Sequence, residues 1–283
     1  MDLLADVEAS FAVREAPDGT WSGPNVAIAG YKRLYGGQLL AQALGVAAAW
    51  GGGAGVRLGA IPAAPKHVRS VQAIFCAEGV PGVEVSWSLE ALSSGRSFAT
   101  CSLIARQSGR VLASALSTLH AIEDGVSHQA PMPVVPAVGE LASIPPGGAL
   151  PVELRVVGDV SPDGLGTGPP ELALYLRPPR HLAGDTQLAP QQLVAYCSDG
   201  TMMATAMRPH EGVGYGAPGV LATAVTAHSV TFHRGFSFDD WMLFTQESPS
   251  SHGARAYVRG DFWSAAGELV ASCTQEVLMR VAR

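Results

Sequence analysis

One stretch of the chain occurs twice. The segment GRVLASALS at 109–117 returns near the C-terminus as GELVASCTQ at 267–275. Ahead of each copy lies a second related pair of segments, QLLA at 38–41 and QLVA at 192–195. Similarity at such a large spacing predicts two copies of one folding unit that pack together. The positions at which the copies differ are where one of them can have gained chemistry.

Gln275 marks the clearest of these differences, because Ser117 occupies its place in the first copy. Apolar residues alternate from Leu269 to Met279, which predicts a strand with one buried face, and Gln275 lies on that face. A buried amide without partners costs about 1–3 kcal/mol. We therefore expect Gln275 to bind another polar core group, a water or a ligand, with an ordinary core glutamine as the alternative.

The composition describes a globular chain with a large core. Its 283 residues suit two units, and a charged fraction of 15% against 47% hydrophobic residues excludes a disordered chain. The net charge is -6 and Lys and Arg form no cluster, which argues against nucleic acid or an anionic membrane as the main partner. No apolar run has the ~20 residues of a membrane span, so we expect no membrane span.

Location and metal binding follow from the termini and the cysteines. The segment MDLLADVE at 1–8 lacks the basic and apolar regions of a signal peptide, which predicts a cytoplasmic protein. The four cysteines lie in apolar runs without metal-ligand spacing, so they are predicted to be small core residues. We expect neither a metal nor a cofactor.

Two helices and two groups of strands are expected. Residues 38–50 contain no charged residue, which is typical of a buried helix, and residues 191–207 predict the second helix. The predicted strands are 68–77, 83–92, 97–106 and 111–122 in the first half, and 152–157, 172–177, 221–233, 240–247, 254–263 and 268–280 in the second.

Prolines and glycines separate the two halves. Residues 131–151 hold six prolines and three glycines, which indicates a linker on the surface. The predicted organisation is therefore an N-terminal unit at 1–130, a linker at 131–151 and a C-terminal unit at 152–283.

Asp199 places a charge within the second predicted helix. Its neighbours at helical spacing include Ala195, Tyr196, Met202 and Met203, so the carboxylate lies on an apolar stripe. Burial raises the pKa of a carboxyl group unless hydrogen bonds keep it ionised. Asp199 is thus either a structural carboxylate that caps a neighbouring loop or a general base that orients a water.

Other motifs predict no chemistry. The glycine-rich segments at 164–168 and 212–216 do not join a strand to the start of a helix, so we interpret both as loops. No GxSxG, P-loop or HExxH motif occurs. His228 and His233 should point to opposite faces of one strand, which is poor metal geometry, and we interpret them as structural histidines.

Short motifs of recognisable type occur along nearly the whole chain. They are YGGQ at 35–38, GRSF at 95–98, AYCSD at 195–199, HS at 228–229 with FHR at 232–234, QES at 246–248, GAR at 253–255 and VASCTQE at 270–276. Together, in this order and at this spacing, they resemble the acyl-CoA thioesterase II family. The resemblance implies an α+β fold, a tandem double hotdog in which each unit is a long buried helix wrapped by a curved antiparallel sheet.

The resemblance also implies a catalytic set of Asp, Thr and Gln that polarises a water. Asp199 and Gln275 match it directly. The Thr position falls on Val225, so the candidate threonine, Thr226, is displaced by one residue. A slip of one residue reverses the face of a strand, and Thr226 can therefore serve only if a bulge intervenes. Thr223 shares the face but lies about 6–7 Å along the strand.

The implied activity is hydrolysis of fatty acyl-CoA to free acid and CoA without metal or cofactor, in a protein predicted to be a homodimer. Because one member of the catalytic set is displaced, a non-catalytic acyl-CoA-binding double hotdog is the alternative. A hydratase or dehydratase on the same architecture is weaker, since no Asp and His occur together at a spacing that suits one carbonyl.

Overall fold

The computed structural model describes residues 2–28, 31–52, 57–58, 61–62, 65–158, 160, 166–183, 187–214 and 219–281. The two glycine-rich segments at 164–168 and 212–216 lie partly outside these residues. The helices are α1 (Leu3–Phe11), α2 (Gly36–Gly52), α3 (Leu188–Ser198) and α4 (Met202–Met207), with a 3₁₀ turn at Val138–Glu140. The strands of the first half are β1 (Arg14–Glu15), β2 (Trp21–Gly23), β3 (Arg57–Leu58), β4 (Ile61–Pro62), β5 (Lys66–Phe75), β6 (Val85–Ser94), β7 (Phe98–Gln107) and β8 (Arg110–Ala121). Those of the second half are β9 (Glu153–Val156), β10 (Glu171–Arg177), β11 (Leu221–Phe232), β12 (Met242–His252), β13 (Arg255–Trp263) and β14 (Leu269–Val281).

One antiparallel sheet runs through both halves. Its 12 described strands have the order β1-β2-β6-β7-β8-β5-β11-β14-β13-β12-β10-β9, and β3 pairs with β4 separately. The central pair is β5 with β11, where Val71 faces Val230. On either side of this pair the strands follow the same order, so β5, β8, β7 and β6 correspond to β11, β14, β13 and β12. Both predicted groups of strands are present.

The two copies also bend at corresponding places. The register of β5 against β8 shifts between Val68 and Ser70. The register of β11 against β14 shifts between Val225 and Ala227. A bulge bends its strand and increases the local twist, so the same device curves each half of the sheet around the helices.

α2 confirms the prediction of a buried helix without a charged face. Leu40, Leu44, Val46 and Ala47 have no exposed surface. Because such a helix has no side suited to water, it is stable only when it is covered all round. The sheet covers one side of it, and α1 and α3 pack on the others.

The second predicted helix was wrong in one respect, because it is broken in two. α3 ends at Ser198 and α4 begins at Met202, with Asp199 as the C-cap of α3. Gly200 lies in the break, and a Cβ there would approach a methyl group of Leu150 to 2.7 Å and the Tyr35 hydroxyl to 3.0 Å. Glycine at this position lets both side chains lie close to the backbone without having to shift.

α2 and α3 pack against each other in opposite directions. A Cβ on Gly37, near the start of α2, would lie 2.5 Å from the Tyr196 carbonyl oxygen near the end of α3. Further along, Gln192 Nε2 donates to the Ala41 carbonyl at 2.9 Å. The N-terminus of α2 therefore meets the C-terminus of α3, and Asp199 lies at this junction. The unit boundaries at 1–130, 131–151 and 152–283 stay a prediction.

Candidate active site

Asp199 joins the end of α3 to the start of α2. Its residue surface is 8% exposed. The Gly37 backbone N–H donates to Asp199 Oδ2 at 2.9 Å. A Cβ on Gly36 would also lie 2.9 Å from that oxygen, so the glycine pair lets the carboxylate approach the helix backbone. A carboxylate is stabilised by the N–H groups and the dipole at a helix N-terminus, which makes this a suitable place for a buried acid.

Gln275 binds the same carboxylate. It lies on the inner face of β14 with 1% of its surface exposed, and its Nε2 donates to Asp199 Oδ1 at 2.9 Å. The structure thus brings together the two polar groups whose positions on apolar faces were predicted from the sequence. Their catalytic roles stay predictions at this stage, because a bond between them also fits a satisfied core pair.

The amide of Gln275 has one defined orientation. Its Nε2 donates a second hydrogen bond to His228 Nδ1 at 3.1 Å. Both N–H groups are then used, and rotating the amide would place Oε1 against the Asp199 carboxylate. Gln275 Oε1 is buried and has no hydrogen-bond partner within the described part of the chain. Leaving a buried carbonyl oxygen unpaired is unfavourable, so this oxygen is available to accept a hydrogen bond from a water or a ligand.

His228 and Ser198 complete the network, and the sequence predicted a catalytic role for neither of them. His228 lies opposite Gln275 in the pairing of β11 with β14. Its Nε2 lies 2.8 Å from Ser198 Oγ, which is itself 2.9 Å from the Ala195 carbonyl oxygen. His233 is on the opposite, exposed face as expected. The contact of His228 with Gln275 depends on the register of two strands that are distant in the sequence.

The pKa values of the two buried groups move in opposite directions. Burial raises the pKa of Asp199 from 3.8 to about 6, against the lowering effect of the bonds from Gly37 and Gln275. Burial lowers the pKa of His228 to about 3, so the imidazole is neutral. The distance of 3.8 Å between His228 Nδ1 and Asp199 Oδ1 is therefore not an ion pair. The site thus holds one carboxylate whose pKa is raised to about 6 by burial, as is common at functional sites.

Thr226 occupies the bulge of β11. Its Oγ1 donates to the Glu276 carbonyl at 3.2 Å. Among the described residues, no hydrogen bond joins Thr226 to Asp199 or Gln275. The bulge places Val225 opposite Val277, on the inner face that carries Gln275. A bulge was the condition under which Thr226 was predicted to act, and its catalytic role stays a prediction.

Part of the inner face of β11 is exposed near the start of the strand. Thr223 and Val225 are on the inner face and only half-buried, whereas Val230 further along has no exposed surface. Arg33, just before α2, crosses this region, because its Nη1 donates to the Thr223 carbonyl at 3.4 Å and its Nη2 lies 3.1 Å from Glu78. The inner face of β11 is therefore partly exposed toward the start of the strand and buried from His228 onward.

The described residues contain no group of three or more His, Cys, Asp or Glu side chains placed to hold a metal ion. Nor, over the same part of the chain, is any helix both long and apolar enough to cross a membrane.

Comparison with known proteins decides the family. A family model described as the acyl-CoA thioesterase C-terminal domain matches residues 126–279, and one described as the acyl-CoA thioesterase N-terminal domain matches residues 27–120. The chain belongs to the acyl-CoA thioesterase family. This membership confirms the predicted resemblance and the predicted enzyme class, a thioester hydrolase that acts on acyl-CoA.

Individual members of the acyl-CoA thioesterase family align along most of the chain. Acyl-CoA thioesterase 2 of Haemophilus influenzae is 29% identical over 275 residues, which are 89% of each protein. Acyl-coenzyme A thioesterase 8 of Mus musculus is 28% identical over 275 residues, 88% of this chain and 81% of the mouse protein.

Solved structures confirm the predicted double hotdog. The acyl-CoA thioesterase II TesB2 from Mycobacterium marinum superposes with a TM-score of 0.78 at 26% identity, covering 97% of this chain and 98% of that one. A protein from Alicyclobacillus acidocaldarius described as having a hot dog fold gives a TM-score of 0.75 at 18% identity, with 98% of both chains covered. The α+β fold of helices wrapped by an antiparallel sheet is therefore shared across distant sequences.

Proposed function

We propose that the chain hydrolyses acyl-CoA with a water held between Asp199 and Gln275. The observation that carries the proposal is the unpaired, buried Gln275 Oε1 next to a carboxylate whose pKa burial raises to about 6. A water donates one hydrogen to each of these two acceptors. Each carboxylate oxygen of Asp199 keeps a free lone pair after accepting its bond from Gln275 or Gly37. The water oxygen then presents its own lone pair to the thioester.

The reaction proceeds by general base catalysis. The water oxygen attacks the thioester carbonyl carbon while Asp199 accepts the proton, and the carbonyl becomes a tetrahedral oxyanion. The N-terminus of α2, which lies beside Asp199, supplies fixed dipoles that stabilise this charge. The C–S bond then breaks, and protonated Asp199 returns its proton to the CoA thiolate. The products are the free acid and CoA, and no covalent intermediate with the protein forms.

The deciding experiment is a panel of acyl-CoAs, from short to long chains, assayed for release of free CoA by the wild type and by Asp199→Asn. Release by the wild type and its loss in the variant support the proposal. Calorimetry with a non-hydrolysable acyl-CoA analogue shows whether binding persists. Tight binding of the analogue without release from any acyl-CoA would instead establish the non-catalytic binding protein.

We also propose that the chain acts in the cytoplasm as a homodimer. All four cysteines are free, which suits a reducing compartment such as the cytoplasm.

The dimer is supported by an exposed apolar pair on the outer face of the sheet. Ile74 and Leu116, diagonal neighbours on β5 and β8, are 57% and 47% exposed, and a partner that covered them would bury apolar surface. Light scattering on the purified protein tests the dimer, since a monomer at micromolar concentration contradicts it.

A further inference from the structure

The first copy of the unit shows what the fold requires at the positions of the site. The repeated segments and the strand pairing match the residues of the two copies one to one. The four matched pairs are Ser198 and Leu44, Asp199 and Gly45, His228 and Val71, and Gln275 and Ser117. The first copy therefore forms its half of the fold with apolar or small residues at these places. A polar network in the second copy alone is not needed for packing.

His228 has no route to the substrate. Its side chain has no exposed surface, and its two ring nitrogens face Ser198 and Gln275. Any effect of His228 on the reaction must consequently pass through one of these two neighbours. Gln275 is the one that carries the free acceptor.

All hydrogen bonds of the network donate in the same direction, from Gln275 through His228 and Ser198 to the Ala195 carbonyl. The Ala195 carbonyl can only accept, so the Ser198 hydroxyl donates to it and accepts from His228 Nε2–H. A neutral imidazole with its proton on Nε2 has a lone pair on Nδ1, and that lone pair accepts from Gln275 Nε2. Because Gln275 must donate on this side as well as to Asp199, its oxygen is bonded to neither of them and stays free to accept.

We propose that Ser198 and His228 are positioning residues for hydrolysis, which hold the Gln275 amide with its oxygen directed at the reacting water. The inference rests on the proposed function, since it assigns the network to that same site. Neither residue touches the substrate. Their removal should therefore lower kcat and leave KM and the affinity for a non-hydrolysable acyl-CoA analogue unchanged.

Ser198→Ala tests the start of the network with a small change. Without the hydroxyl, His228 has no acceptor for Nε2–H, and the proton is free to move to Nδ1, where it opposes Gln275. We expect kcat to fall by about tenfold, since small errors in placement of reacting groups have effects of this order. Ser10→Ala is the matched control, because Ser10 is also a buried helical serine, bonded to Val7 three residues earlier, and among the described residues no hydrogen bond joins its side chain to the site.

His228→Val inserts the residue that the first copy carries. We expect a fall of about 10²-fold in kcat, an unchanged KM and a folded protein. Nitrogen-15 NMR of the imidazoles reports the tautomer of His228, which a loss of stability alone does not change. In the wild type at neutral pH, the signal lost in His228→Val should show an unprotonated Nδ1 and a protonated Nε2, and Ser198→Ala should shift it toward the other tautomer.

The outcomes separate this inference from the proposed function. If the wild type releases no CoA, or Asp199→Asn is as active as the wild type, the proposed function fails. If the wild type is active and Asp199→Asn is not, but both Ser198→Ala and His228→Val keep the kcat of Ser10→Ala, the positioning role is overturned. Equal losses of kcat in Ser198→Ala and Ser10→Ala, in step with equal losses of thermal stability, overturn it as well.

Discussion

Gly37 in the first turn of α2 donates its backbone N–H to Asp199 at the end of α3 over 2.9 Å. A residue of the C-terminal half thus satisfies the N-terminus of a helix in the other half. The partial positive charge of that terminus favours the ionised carboxylate, and burial opposes it. The placement of the candidate base therefore depends on how closely the two helices pack.

Gly37→Ala should damage both stability and activity. The added Cβ would lie 2.5 Å from the Tyr196 carbonyl oxygen and 2.6 Å from the Tyr35 ring, so the helices must move apart. We expect a loss of about 1–3 kcal/mol in the free energy of unfolding and a lower kcat, because Asp199 moves with α3. Urea denaturation and steady-state kinetics measure the two effects.

Gly52→Ala provides the matched control in the same helix, since a Cβ there would meet no atom within 4 Å. It should be neutral or stabilise the protein by up to about 1 kcal/mol, as expected for alanine in a helix. Indistinguishable behaviour of the two variants would show that the close approach of α2 and α3 is not what Gly37 is required for.

Asp199→Asn should lower kcat by ~10²-fold or more, the usual scale of a general base, and leave binding of a non-hydrolysable analogue nearly unchanged. Gln275→Ala should cost less, because orienting a water contributes less than accepting its proton. Assays of CoA release with calorimetry on both variants measure this order. A reversed order, with Gln275→Ala the more damaging change, would contradict the assignment of Asp199 as the base.

The sequence was sufficient for the features that depend on local pattern. Asp199 and Gln275 were both predicted as polar groups on apolar faces. α2 was predicted to be buried on all sides because it has no charged residue. α1 was missed, although Asp2 caps it, accepting from the Ala5 N–H at 3.1 Å, and Leu4 and Val7 form a buried stripe at helical spacing.

The sequence did not predict the features that depend on contacts between distant parts of the chain. The apolar pattern of α3 continues through Met202 into α4, so periodicity gave no sign of the break at Gly200. The bulge at Thr226 and the contact of His228 with Gln275 are properties of how β11 pairs with β14. The alternation within one strand shows which face a residue occupies, but it does not show which residue of the partner strand lies opposite it.

Substitutions along β11 test the displaced threonine. The Thr226 hydroxyl is bonded to the Glu276 carbonyl and Val225 faces the Gln275 side of the strand, so we expect Thr226→Val to change kcat less than threefold or so. Thr223→Val serves beside it as a change on the inner face. A loss of about 10²-fold in Thr226→Val alone would establish Thr226 as the third catalytic residue and show that its hydroxyl leaves Glu276 during the reaction.

The rate should depend on pH through Asp199. Burial raises the pKa of this carboxyl to about 6, and only the ionised form accepts a proton from water. We expect kcat/KM to be constant at alkaline pH and to fall as the pH drops below about 6. The affinity for a non-hydrolysable analogue should not follow this curve. A rate that stays constant down to pH 4 would mean that no group with this raised pKa acts as the base.

The free energy of unfolding should also depend on the ionisation of Asp199, but it should be higher when the carboxyl group is protonated. Because the pKa of Asp199 is raised from 3.8 to about 6 on folding, the folded state binds more protons than the unfolded state between these values, and stability falls as the pH rises through this window. The difference corresponds to about 3 kcal/mol. Comparing the wild type with Asp199→Asn at each pH cancels the contribution of His228, whose lowered pKa acts in the other direction. In urea denaturation, the free energy of unfolding of the wild type should therefore fall relative to that of Asp199→Asn from about pH 4 to pH 6. If the difference between the two proteins is constant with pH, Asp199 has the same pKa in the folded and the unfolded chain.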